Sequence, residues 1–107
     1  MASLPPGVVK LNDGEPAPEK TLTLYRDYGH KGPAYGIGAG YSVNLDDLPM
    51  KGTNGSTTAS KNISSWVNTT DSDAVLIDDK DKRTLKSGDS LEEPAKKNDS
   101  VTSIAWN

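Results

Sequence analysis

Thr21-Leu22-Thr23-Leu24-Tyr25-Arg26-Asp27-Tyr28-Gly29-His30-Lys31-Gly32 is the stretch on which the fold turns. Its first half alternates strictly, with Leu22 and Leu24 on one side and the threonines on the other, as a half-buried β-strand does. Turn formers follow at Gly29, Gly32 and Pro33, and a second strand-like run comes at Tyr41-Ser42-Val43-Asn44-Leu45. The polar segment from Pro49 to Ser60 reads as a long mobile loop. Short apolar pieces return at 63–67, 74–77 and 100–106. No window sustains the i, i+3, i+4, i+7 spacing of a helix; Leu45 to Leu48 and Leu91 to Lys97 allow single helical turns at most. Short strands punctuated by turns predict an all-β sandwich or barrel. Upstream, residues 1–19 carry Pro5, Pro6, Pro16 and Pro18 and read as an extended arm, in which Val8 to Leu11 is able to add an edge strand.

The chain repeats itself. Leu22 to Asp27 is echoed by Val75-Leu76-Ile77-Asp78-Asp79, and Ser60-Lys61-Asn62-Ile63-Ser64-Ser65 by Asn98-Asp99-Ser100-Val101-Thr102-Ser103. Each half runs strand, hairpin, strand, loop, then a Ser/Thr-Ser pair beside a Trp-bearing strand. Two copies of one supersecondary unit, neither able to bury its apolar face alone, make a single domain over 20–107, with halves at about 20–68 and 73–107.

These residues resemble the βγ-crystallin family, whose Greek-key motifs carry an aromatic residue, six arbitrary residues and then a glycine. Tyr25 and Gly32 have that spacing, with Tyr28 as the second aromatic. The hairpin folds back over the sheet, so glycine is wanted where φ turns positive and the ring covers the fold. The family's calcium signature is two Asn/Asp residues, two arbitrary residues, then Ser/Thr and Ser, and residues 98–103 match it throughout. The resemblance implies a β-sandwich of two Greek keys, with each ion site shared between the motifs. By that likeness Asp99 and Ser64 form one calcium site, helped by Asn98 and by carbonyls near Ser100 and Arg26. The opposite site meets Thr102 and Lys61, whose ammonium is expected to disable it. The second motif departs further, with Ile77 in the aromatic position and Thr84 in that of the glycine, on a shortened hairpin.

Composition excludes several alternatives. A net charge of −3, from 15 acidic and 12 basic residues, argues against nucleic-acid binding. The broken run Lys80-Asp81-Lys82-Arg83 reads as a solvated hairpin tip. Without cysteine there is no disulfide, thiolate metal site or cysteine nucleophile, which tilts the expectation to the cytoplasm, a removed leader aside. No apolar segment is long enough for a membrane span. Gly36-Ile37-Gly38-Ala39-Gly40 lacks the register of a phosphate loop and reads as a turn or kinked strand. His30 has no marked serine to activate, and Asp46 with Asp47, like Glu92 with Glu93, diverge in sequence-adjacent pairs. Trp66 and Trp106 are expected in the core, where a chain without Phe needs their bulk.

The expectation is a non-enzymatic protein, monomeric or weakly dimeric, that binds calcium weakly at one site. The resemblance to single-domain microbial and fungal members of the family, the spherulins and the abundant perithecial protein, implies accumulation in stress or development. The alternative is a secreted interaction module of the same fold, akin to killer toxins or protease inhibitors.

Overall fold

The computed structural model describes residues 4–52, 55, 57–79, 81–96 and 98–107. Lys80 of the basic run, Lys97, and residues 53, 54 and 56 of the polar loop lie outside these. Among the described residues there are nine strands: β1 (Val8–Leu11), β2 (Thr21–Asp27), β3 (Lys31–Gly38), β4 (Val43–Asn44), β5 (Ser65–Asn68), β6 (Ala74–Ile77), β7 (Lys82–Leu85), β8 (Ser90–Glu92) and β9 (Ser103–Trp106). They form one five-stranded sheet, ordered β1-β3-β2-β5-β8, and one four-stranded sheet, ordered β4-β9-β6-β7. The named pairings are all antiparallel. Each Greek key keeps three strands in its own sheet and gives the short third one to the other: β4 crosses one way and β8 the other. The two halves are thereby locked together by exchanged edge strands.

Between the sheets lies the main core. Leu22 and Leu24 from β2, Tyr35 and Ile37 from β3, and Trp66 from β5 meet Leu76, Leu85 and Ile104 of the facing sheet. Trp66 is fully buried beside Leu24, its register partner, so the first of the two expected core rings is where the sequence places it. Trp106 is partly buried against the same core and donates its indole N–H to the carbonyl of Tyr41 at 2.9 Å.

The half-buried reading of β2 is corrected. Thr23 and Tyr25, on the outward face, are as buried as Leu22 and Leu24. The cause is the N-terminal arm. β1 extends the sheet by pairing with β3, and the chain after it crosses back over the outer face. There Leu11, Tyr25 and Ala34 form a second apolar cluster with Val67 against it. Tyr25 donates its hydroxyl to the carbonyl of Glu15 at 2.8 Å, and Pro18 accepts from Thr21 Oγ1 at 2.9 Å and Thr69 Oγ1 at 2.8 Å. A prolyl carbonyl is still a good acceptor even though its nitrogen donates nothing.

Three further local readings change. The run 41–45 supplies a strand only at Val43–Asn44, because Asn44 caps the 3₁₀ turn Leu45–Asp47 by accepting from Asp46 N at 3.0 Å. The polar segment 49–60 is anchored at its base: Met50 and Ala59 are buried, and Ala59 N donates to Leu48 O at 2.8 Å. Gly36 and Gly38 lie within β3, where Gly36 leaves room for Val9 and Thr21 of the flanking strands.

Candidate functional site

The repeated sextets 60–65 and 98–103 face each other across an approximate two-fold relation, visible in three matched pairs of hydrogen bonds. Lys61 N donates to Val101 O at 2.9 Å and Asp99 N to Ile63 O at 3.4 Å. Ser64 N donates to Tyr25 O at 3.0 Å and Thr102 N to Ile77 O at 2.8 Å. Glu93 N donates to Ser64 O and Leu45 N to Thr102 O, both at 2.9 Å. Lys61 and Asp99 even share a left-handed backbone, with φ of 60° and 59°. Aspartate enters that region more readily than most residues, whereas lysine seldom does, so at Lys61 the surrounding contacts impose it.

On one side of this axis stands Asp99. Ser64 donates its hydroxyl to the Asp99 carboxylate, which joins the two residues that the resemblance paired. Burial, then the neighbouring charges of Asp27 and Glu93, push the Asp99 carboxyl above its ordinary value, and the Ser64 hydrogen bond only partly offsets this. Both neighbours are already held by guanidinium groups. Arg26 binds the two Asp27 oxygens, each at 3.1 Å, and gives its remaining arm to Lys51 O at 3.1 Å. Arg83 grips Glu93 in a two-pronged pair at 2.7 and 2.8 Å. Asn98 Oδ1 is buried with no hydrogen-bond partner among the described residues. Ser100 follows Asp99 in the loop.

An orphaned buried amide oxygen, in the residue next to one whose carboxylate burial disfavours, marks a loop that lacks positive charge. Calcium accepts carboxylate, amide, hydroxyl and carbonyl oxygens alike, so Asp99, Asn98 and Ser64 fit it. No group of three or more His, Cys, Asp or Glu side chains able to hold a metal occurs among the described residues. A donor set of one carboxylate with neutral oxygens belongs to a weak site, because charge count sets much of calcium affinity. Arg26, named from the resemblance for its carbonyl, places its side chain on Asp27 and takes that carboxylate out of the donor set.

On the other side stands Lys61, in a polar cleft of about 590 Å³ that Thr102, Asp46 and Asp79 also line. Its ammonium lies 2.8 Å from Asp79 Oδ2.

The sequence reading missed Arg83 and Glu93. The mixed charge run predicts a solvated tip for Arg83, but it is half-buried and Glu93 is only 3% exposed. The exchange of β8 carries Glu93 across to β7's arginine, and no local pattern announces that. His30 is likewise more engaged than a bare loop residue. Its ring lies 5.4 Å from that of Tyr25, its N–H donates to Ser65 Oγ at 3.1 Å, and Nε2 sits 3.2 Å from Glu92 Oε2. Glu92 also accepts from Gly29 N at 2.6 Å, and Tyr28 donates its hydroxyl to Glu93 O at 2.8 Å. The first hairpin is therefore latched over the end of β8, with Gly32 at φ 80° where a Cβ would meet Asp27 Oδ2 at 2.5 Å.

No family model and no curated protein matches the sequence. A solved structure bearing on the evolution of the eye lens βγ-crystallin domain fold is similar over 94% of this chain and 96% of that one, with a TM-score of 0.70 and 16% identity. The chain has the βγ-crystallin domain fold. Among the described residues no helix is long and apolar enough to cross a membrane.

Proposed function

We propose that this protein is a non-enzymatic structural domain that binds one calcium ion, weakly, at Asp99, Asn98 and Ser64, with carbonyls near Ser100 and Arg26. The observation that carries the reading is the Asn98 amide oxygen, buried without a partner beside an Asp99 carboxylate whose charge is disfavoured. A divalent cation relieves both costs at once. With one uncommitted carboxylate the affinity belongs near the ~10⁻⁴–10⁻³ M of extracellular modules. The opposite cleft, with Lys61 in the acidic position, takes no calcium in the native chain.

The role served is durability. A two-sheet core with exchanged strands, reinforced by an ion where one is present, suits a protein that accumulates in stress or development as the single-domain microbial and fungal relatives do. Calorimetric titration with calcium chloride tests the ion reading: one equivalent binds the native chain and none binds Asp99→Ala. Equal heats for the two proteins would refute it.

The second reading, an interaction module in the manner of a killer toxin or protease inhibitor, draws on one feature. The two ends of the segment between Pro49 and Thr58 are held together by a β-bridge and by Met50 N donating to Thr57 O at 3.0 Å.

A further inference from the structure

Lys61 holds the backbone position that the two-fold relation pairs with Asp99, so the two clefts carry opposite charge at one backbone position. Their surroundings are inverted as well. Beside Asp99, the Asp27 carboxylate is neutralised by its neighbour Arg26. In the repeat, Asp79 stands for Asp27 and Asp78 for Arg26, so the second hairpin brings a carboxylate without the adjacent arginine. Lys61 Nζ lies 2.8 Å from Asp79 Oδ2, and Asp46 lines the same cleft and adds its negative charge at longer range.

We infer that Lys61 is a tethered cation, which neutralises the Asp46–Asp79 cleft permanently as a bound divalent ion would. The inference rests on the ion reading of the Asp99 cleft only for its analogy; its test does not need that cleft to bind. Three features support it. The left-handed backbone at Lys61, with its N donating to Val101 O, matches that at Asp99 and starts the side chain in the equivalent direction. The ammonium, a compact point charge with three donors on a flexible stem, reaches a carboxylate from there. Asp79, the carboxylate it reaches, is the repeat counterpart of one that acts on Asp99. One half of the molecule is thereby independent of free calcium while the other responds to it.

The test uses an Asp99→Ala background, which removes the side-chain oxygens of the first cleft. Into it go Lys61→Asp, Lys61→Asn and Lys61→Arg, the middle one chosen because asparagine tolerates the left-handed region. Calcium chloride is titrated while amide shifts of residues 44–46, 79 and 101–103 are followed, and melting is compared in chelator and in ~10 mM calcium, well above the weak range expected for such sites. The parent and Lys61→Arg are expected to show no calcium shifts at those amides. Lys61→Asp and Lys61→Asn are expected to melt lower in chelator and to recover in calcium, with shifts confined to that cleft and Lys61→Asp binding at least tenfold more tightly. If Lys61→Asp does not fold without calcium, recovery in calcium reads the same way, and failure of both neutral and acidic variants to respond overturns the inference. It is equally overturned if the parent, with Lys61 in place, shows calcium shifts at Asp46 and Asp79.

Discussion

Asp99 carries a cost in the ion-free protein that the rest of its loop does not repay. Its carboxyl is raised above 3.8, by burial first and by Asp27 and Glu93 after it. A carboxyl raised on folding contributes its stability fully below the unfolded value and loses it as pH rises through the folded one. Without calcium, this group therefore makes the fold less stable at neutral pH than below 3.8. Asp99→Asn is expected to remove that dependence, to melt no lower than the native chain at neutral pH in chelator, and to bind calcium more weakly, having kept an oxygen ligand without its charge. Melting curves at several pH values check this; a marked fall in neutral-pH stability would show the charge to be favourable. Calcium affinity of the native chain should weaken on acidification sooner than an ordinary carboxylate requires.

Also at the residue scale, Gly32 and Gly88 separate two costs of glycine replacement. Both have positive φ, 80° and 82°, but a Cβ at Gly88 meets nothing within 4 Å whereas one at Gly32 strikes Asp27. Gly88→Ala should cost about 1 kcal/mol for the left-handed backbone alone. Gly32→Ala should cost roughly 2–4 kcal/mol, because the Asp27 carboxylate must also leave Arg26 or move. Denaturant midpoints of the two variants decide it, and equal losses would contradict the close contact. Tyr25 and Gly32 were legible because a fixed spacing encodes a hairpin folded onto its own sheet. The unpartnered Asn98 oxygen was legible only as a residue type, since burial is not written in a six-residue pattern.

Among elements, the exchanged strand β8 and the N-terminal arm were the hardest to foresee. Alternation along β2 identified a strand and its inward face, but both faces are covered because Leu11 and the chain near Glu15 lie across the outer one. A proline-rich segment has little periodicity to advertise such docking. Leu11→Ala should lower stability by about 2 kcal/mol, as truncation of a buried leucine in a small cluster does, without altering calcium binding. The Arg83–Glu93 pair ties β7 to the end of β8, and the Glu93 side chain has no exposed surface. Arg83→Met leaves that charge buried and unpaired, with an expected loss of about 3–5 kcal/mol at neutral pH. Arg83→Met with Glu93→Leu should recover most of it, as measured by urea unfolding. If the double variant were no more stable than the single, the pair would be contributing through shape and not through charge.

For the whole molecule, the absence of Phe is met by Trp66, Tyr35 and a shell of Leu and Ile that both sheets share. The two-motif sandwich was readable because the repeat, the strand alternation and the turn glycines agreed. The asymmetry between its halves was readable from Lys61 against Asp99. Under the one-site proposal, ligand linkage gives that asymmetry a stability consequence: at ten to a hundred times the dissociation constant, calcium is expected to add about 1.4–2.7 kcal/mol to the fold. For a domain of this size that is roughly 6–15 °C in melting temperature. The most direct test of a one-sided ion site is an amide-shift titration of the native chain with calcium chloride. Saturable shifts at residues 98–103 and 63–65, with residues 44–46 and 79 unmoved, are the result expected. No shift at 98–103 in millimolar calcium, or equal shifts around both sextets, would contradict it.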